Sequence, residues 1–200
     1  DDGSTDGSAA EVRARRAAIP HLRLIRHPAS GGQSAAIHSG VRAARPGALV
    51  CTIDGDGQNP PEEIPRLIAA RRAQGAGLIA GQRARREDSL SRRLASRLAN
   101  ALRGWALKDG TRDTGCGLKC FGREEFLALP YFNHMHRYLP ALFGREGLPV
   151  GLIEVGHRPR VAGRSNYSNL QRGLVGAVDL LGVMWLIRRR RKVAPLPEEG

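Results

Sequence analysis

The sequence predicts an α/β fold in which a mostly parallel sheet carries helices on both faces. Three observations carry that expectation. Strand-like and helix-like segments alternate through the first half of the chain. Ala48-Leu-Val-Cys-Thr-Ile53 is a continuous apolar run of buried-strand length. Polar residues cluster directly after the runs that end at Ile53 and Gly81. In open parallel sheets ligands sit at the carboxyl ends of strands, so function is expected there.

Ser8-Ala-Ala-Glu11 reads as a capping box opening a helix that runs to about Ala18. His21 to Arg26 alternates like a strand, and Ser34 to Ala44 is a helix candidate behind the turn at Gly31-Gly32. After the buried strand, Pro60-Pro61-Glu62-Glu63 places proline and acid in a first helical turn, and that helix ends near Gly75. Gly77 to Gly81 is a short strand, and a long helix is expected from about Ser91 to Leu107. The pattern then loosens into strands at Gly117 to Phe121 and Val150 to Val155, with short helices at Glu124 to Leu129 and His136 to Phe143. A last apolar segment, Leu170 to Ile187, runs into the basic cluster Arg188 to Lys192. The expected organisation is one domain over 1–168, a C-terminal amphipathic helix with its basic cluster over 169–192, and a flexible tail over 193–200. The chain opens in a polar loop with no strand before it, so the opening strands of the fold are expected to be missing from this sequence.

Composition narrows the function classes. With 200 residues, 41% hydrophobic and 26% charged, the chain has the make-up of a soluble globular domain rather than a disordered or polytopic membrane protein. The net charge of +13, almost all of it arginine, favours anionic partners: phosphates, nucleic acid or an acidic membrane surface. No basic stripe interleaved with aromatics and no known reader motif is present, so nucleic acid is not the expected partner. Three cysteines make a poor disulfide framework, and no apolar leader opens the sequence, so a reducing cytosolic compartment is the default.

The sharpest motif is Asp54-Gly55-Asp56-Gly57-Gln58, directly after the buried strand. In an extended stretch, side chains two residues apart point the same way, roughly 6.5–7 Å apart along the chain. Two carboxylates so placed can share a hard divalent cation, Mg²⁺ or Mn²⁺, which keeps positions free for phosphate oxygens and water. The bland alternative is a polar turn built from Asp and Gly. Asp1-Asp2-Gly-Ser-Thr-Asp6 is the second signal: capping explains part of it, and the doubled Asp before Gly suits hydrogen bonding to a sugar hydroxyl or a base.

These motifs, with Gly31-Gly32-Gln33 before a helix and Pro-Pro-Glu after the Asp-x-Asp, resemble glycosyltransferase family 2, whose fold is the Rossmann-like GT-A fold. Gly81-Gln-Arg83, Arg92 to Asn100, Asp113-Thr-Gly-Cys-Gly-Leu-Lys119 and Gly163-Arg-Ser-Asn-Tyr167 resemble its polyprenyl-phosphate (dolichyl-phosphate) sugar transferase branch. The resemblance implies an inverting, metal-dependent transfer of a sugar from a GDP- or UDP-sugar to a polyprenyl phosphate at the cytoplasmic membrane face. It implies that Asp54, Asp56 and Gln58 hold the metal and diphosphate, that Asp2 meets the nucleotide, and that Arg164 meets the diphosphate. Arg83, Arg92 and Ser96 match positions that meet the acceptor phosphate, a task suited to arginine's planar fork. Asp113 matches the catalytic or acceptor-loop aspartate, a general base if the acceptor is a hydroxyl and an orienting group if it is a phosphate. Two departures stand out: the opening strand and its nucleotide loop are absent, and Gly fills both positions between and after the paired Asp residues. Two readings stand for the C-terminal helix: an anchor lying on an anionic membrane surface, or a helix packed on the domain with a solvated basic end.

Overall fold

The computed structural model describes residues 1–83, 103–158 and 169–191, with side chains from residue 175 onward in the last segment. Four strands form one sheet, β1 (Leu49–Thr52), β2 (Leu78–Arg83), β3 (Lys119–Gly122) and β4 (Val150–Val155), in the spatial order β1-β3-β2-β4. β2 and β4 pair in parallel, with Leu78 level with Val150 and Arg83 level with Val155. β3 is antiparallel to both β1 and β2, so that Thr52 and Ala80 stand level with Lys119 from either side. β1, β2 and β4 thus share one direction, as the alternating pattern predicts. β3 enters between β1 and β2 from their carboxyl edge and is reversed.

Alternation along the strands builds two cores, because successive side chains point to opposite faces. Ile79, Cys120 and Val155 meet Leu67 of helix α3 (Ile64–Gln74) on one face. Leu78 and Phe121 face the other side, which is covered by α2 (Gln33–Ala43), α4 (Arg123–Leu127), α5 (Leu139–Arg145) and α6 (Asn169–Arg189). Val41, Phe126, Leu142, Phe143 and Val183 close around Phe121 there. Each such fully buried side chain contributes about 1.5–3 kcal/mol.

Several expected elements are corrected. The first helix, α1 (Ser8–Arg15), has Gly7 at its N-cap with no side-chain cap. Asp6 Oδ1 accepts the Ser8 N–H at 2.9 Å, and Glu11 pairs one turn on with Arg15, so the capping box does not form. Among the described residues, 21–26 form no strand: Ile25 O accepts from the Asp1 backbone nitrogen at 2.8 Å, and the neighbouring His27 N–H donates to Asp1 O. The prolines and acids at Pro61–Glu63 form a 3₁₀ turn before α3 proper, which ends as expected on Gly75 at φ +56°. β3 begins at Lys119, two residues later than the motif implied. Of the helix expected to end at Leu107, residues 103–107 are helical and the remainder lies outside the described residues.

α6 settles onto the domain through Val183, with Leu180, Met184 and Ile187 beside it. The Tyr138 hydroxyl donates to Gly176 O at 3.2 Å, and His134 Nδ1 lies 2.9 Å from Asp179 Oδ2. Its opposite side leaves Val178, Leu181 and Trp185 exposed at 69, 66 and 59%. The helix therefore packs on the domain and still presents an apolar ridge. Among the described residues no helix is long and apolar enough to cross a membrane.

Candidate active site

The carboxyl ends of β1 and β2 bring the candidate residues together. Thr52 closes β1, and two residues later Asp54 enters an open cleft of about 470 Å³, lined also by Asp56, Gln33 and Gly117. The Asp54 N–H is held by Asn59 Oδ1 at 3.1 Å, and Asp54 Oδ1 accepts a hydrogen bond from Gln33 Nε2 at 2.8 Å. A Cβ built on Gly117 would overlap the Asp54 carboxylate, so any side chain there would displace it. Burial pushes the Asp54 carboxyl up; Lys119 and Arg83 act against this, and the charge of Asp56 adds to it. Asp56 accepts the Gln58 N–H at 3.1 Å, the local turn that aspartate favours.

Gln58 departs from its expected place. Its amide lies 3.4 Å from His157 Nε2 and its carbonyl accepts the Arg158 N–H, so it ties the motif to the segment after β4 and stands outside the cleft lining. Asp2 is likewise a tie. Its Oδ1 accepts the Gly31 N–H at 2.9 Å and lies 2.7 Å from His27 Nδ1, and its Oδ2 accepts from Ser30 Oγ at 2.6 Å and Gly32 N at 2.8 Å. Burial opposes the charge, but these bonds outweigh it and hold the Asp2 carboxyl well below the usual carboxylate range. The carboxylate also faces the N-terminus of α2, where negative charge is favoured. Asp2 thereby pins the turn that presents Gln33, and through it Asp54.

At the end of β2, Arg83 and Asp113 are joined fork to fork, Nε to Oδ2 at 2.5 Å and Nη2 to Oδ1 at 2.8 Å, with little exposure on either side. Asp113 Oδ1 also accepts the Gly115 N–H, and Gln82 Oε1 accepts the N–H groups of Arg112 and Asp113. The hydrogen bonds from Arg83 to Asp113 raise the guanidinium's proton affinity, against the effect of burial. Two residues expected to serve separate roles are therefore one ion pair. Arg92, Ser96 and Arg164 lie outside the described residues.

Sequence reasoning missed Gln33, Gly117, Lys119 and His136 as members of the site. Lys119 was visible: a charged residue at an inward position of a buried strand, where Phe121 two residues on belongs to the core. Its ammonium donates to Cys116 O, and burial lowers its proton affinity. His136 is held by Ser34, with Nδ1 2.8 Å from Oγ, and burial pushes its pKa down to about 3, so the ring is neutral.

Among the described residues no three His, Cys, Asp or Glu side chains gather as a metal site. Asp54 and Asp56 nevertheless suit a divalent ion that takes one or two carboxylates and completes its shell with substrate phosphates and water. The half-buried Asp54 carboxylate, its proton affinity pushed up, is the feature that such an ion would satisfy.

Fold and site together define the class: the chain belongs to glycosyl transferase family 2, whose model matches residues 1–128. It is 32% identical over 197 residues to dodecaprenyl-phosphate galacturonate synthase of Rhizobium johnstonii, covering 96% of this chain and 57% of that protein. It is 37% identical over 175 residues to undecaprenyl-phosphate 4-deoxy-4-formamido-L-arabinose transferase of Pseudomonas aeruginosa, covering 86% of this chain and 50% of that protein. The chain thus spans about half the length of these curated relatives. The crystal structure of glucosyl-3-phosphoglycerate synthase from Mycobacterium tuberculosis with Mn²⁺ and uridine-diphosphate-glucose shares the fold, with a TM-score of 0.61 at 22% identity over 92% of this chain and 66% of that one.

Proposed function

We propose that this chain carries the catalytic part of a transferase that moves a sugar from a nucleoside-diphosphate sugar to a polyprenyl phosphate at a membrane surface. The observation that carries the reading is the pairing of two differently equipped corners at one sheet edge: Asp54 with Asp56 in the open cleft, and Arg83 beside it. The curated relatives named above act, by their names, on dodecaprenyl or undecaprenyl phosphate.

Asp54 and Asp56 would hold Mg²⁺ or Mn²⁺, which when bound neutralises the diphosphate and eases its departure. Gln58 would join them only by turning its amide away from His157. Asp2 positions the Gly31-Gly32 turn, with its N–H groups, beside the donor. Arg83, whose Nε and Nη2 hold Asp113, would meet the acceptor phosphate through its remaining Nη1, together with Arg92 and Ser96 from the helix expected there, and Arg164 would close on the diphosphate. The acceptor phosphate is already ionised, so attack on the anomeric carbon from the face opposite the diphosphate, with inversion, needs no base. That suits Asp113, both of whose oxygens are engaged by Arg83 and the Gly115 N–H. The alternative, a glycan or lipid hydroxyl acceptor with Asp113 as base, requires that ion pair to open first. The ridge of Val178, Leu181 and Trp185, followed by Arg188 to Arg191, provides an apolar face and basic end for an anionic membrane. The reading places the enzyme at the cytoplasmic face, peripheral or monotopic. The test is a panel of UDP- and GDP-sugars with undecaprenyl phosphate and Mn²⁺ or Mg²⁺. Metal-dependent formation of a lipid-phosphate sugar supports the proposal, and transfer only to hydroxyl acceptors rejects it.

A further inference from the structure

Behind Asp54 lies a second, more enclosed space of about 70 Å³. It shares Gln33, Ile37, Thr52 and Gly117 with the open cleft. Its charged lining is wholly cationic: Lys119, only 5% exposed, and the more accessible Arg137, with no carboxylate among the lining residues. Thr52, Thr114, Gln33 and the neutral His136 supply uncharged polar groups around them.

Lys119 is the unusual member. Its ammonium has three N–H donors, and among the described residues its hydrogen bond is to Cys116 O, with no salt bridge. Asp113, the nearby acid on one side, is taken by Arg83, and Asp54 on the other would be taken by the divalent ion. A loaded site therefore leaves a buried amine facing a cavity without an anion, an arrangement that favours a ligand that supplies one.

Position in the sheet says which ligand. Lys119 stands level with Thr52 of β1 on one side and Ala80 of β2 on the other. The diphosphate belongs at the end of β1, with Asp54 and Asp56, and the acceptor phosphate at the end of β2, with Arg83. On the nucleotide-sugar reading, the transferred sugar would lie between them, on the Lys119 side. The cavity has room for a few water-sized groups, about a carboxylate and its neighbours, and not for a diphosphate.

We propose that this cavity is a subsite for a carboxylate on the transferred sugar, received by Lys119 with Arg137 at its open side, so that the donor is a nucleoside-diphosphate hexuronate. The inference rests on the nucleotide-sugar reading above and adds the charge class of the sugar. The experiment is calorimetry on the 200-residue chain with Mn²⁺, using UDP, UDP-glucose, UDP-glucuronate and UDP-galacturonate, and the matching GDP, GDP-mannose and GDP-mannuronate. At least one hexuronate is expected to bind about tenfold or more tighter than the neutral sugar on the same nucleotide. Lys119→Met should abolish that preference while leaving the free nucleoside diphosphate unchanged, and Thr114→Val should reduce it in a chain with Lys119 intact. Equal binding of neutral and acidic sugars by the unmodified protein overturns the proposal whether or not the variants fold. So does a Lys119→Met protein that loses affinity for the nucleoside diphosphate itself, since Lys119 would then serve the diphosphate. Failure of both UDP and GDP to bind with Mn²⁺ rejects the donor reading, and the subsite with it.

Discussion

Asp54 and Asp113 occupy equivalent corners of the sheet, one after β1 and one facing the end of β2, and their surroundings could hardly differ more. Asp54 receives a neutral amide from Gln33, has Asp56 close by, and burial pushes its proton affinity up. Asp113 receives a guanidinium fork and a backbone amide. One carboxylate is left wanting positive charge, and the other already has it. The partners, not the residue type, divide a cation-binding group from a positioning group.

The largest effect expected from breaking this contrast is at Asp54. An acid whose folded-state proton affinity is raised opposes folding once pH exceeds its unfolded value. Asp54→Asn should therefore raise the melting temperature of the metal-free protein, while Mn²⁺ affinity, read by electron paramagnetic resonance, falls by about a hundredfold or more. Added Mn²⁺ with nucleoside diphosphate should stabilise the unmodified protein and not the variant. A variant that is less stable than the parent without metal would show that Asp54 is structural.

Asp113→Asn should go the other way. It leaves Arg83, a side chain with little exposure, without its countercharge, and breaking such a pair costs about 3–5 kcal/mol. Urea denaturation measures this directly. Unchanged stability would mean that the Arg83–Asp113 pair is replaced by solvent as readily as a surface pair.

How much of this was legible beforehand depends on the kind of interaction. The alternation of Leu78 with Ile79 and of Cys120 with Phe121 is a local pattern, and the strands and their two faces follow from it. The Asp54-Gly-Asp56 motif was readable because strand end and spacing are both local. The Arg83–Asp113 pair spans 30 residues, and nothing near either residue announces the other. The reversal of β3 and the diversion of Gln58 to His157, 99 residues away, are equally nonlocal. Among the described residues the strand expected at 21–26 does not form either: alternation shows that a segment could pair, while pairing itself is decided by residues far away in the sequence. Lys119 could have been found by asking why a charge sits inward on a buried strand.

A base offers a third test of the same logic. His136 is buried and neutral, with its pKa pushed down to about 3 against an ordinary 6.5. The unfolded chain binds a proton that the folded one refuses, so the stability from this residue is full above about pH 6.5 and is lost as pH falls toward 3. Between pH 7 and 5 the loss should reach about 2 kcal/mol, at 1.36 kcal/mol per unit. In His136→Gln, which keeps a polar group for Ser34, that component of the pH dependence should vanish. An identical acid profile in both proteins would assign the titration elsewhere.

Gly117→Ala sharpens the contrast without altering any charge. The new methyl overlaps the Asp54 carboxylate, the mobile end of a side chain, so the carboxylate swings aside while the backbone stays. Mn²⁺ affinity should fall about tenfold, in the range seen when groups that orient a ligand are lost, with melting temperature little changed. Intact Mn²⁺ binding would mean that the ion sits on Asp56 rather than on both carboxylates.

The smallest expected effect lies at the opposite imbalance, apolar surface left in water. Trp185 stands 59% exposed at the end of the α6 ridge, one turn before the arginines. Its removal takes nothing from the core, because the packed side of the helix is Leu180, Val183, Met184 and Ile187. Trp185→Ser should therefore leave the folding transition within about 0.5 kcal/mol of the parent, the range for surface substitutions. It should also weaken binding to vesicles containing anionic phospholipid several-fold, since amphipathic aromatic rings favour the interface. Val183→Ser is the control: it empties a fully buried position and should lower stability by about 1–3 kcal/mol. Co-sedimentation at low and high salt then separates the ridge from the basic end, because only the arginine contribution is screened. If Trp185→Ser leaves vesicle binding unchanged at both salt concentrations, the ridge does not meet the membrane, and the basic cluster alone accounts for the attraction.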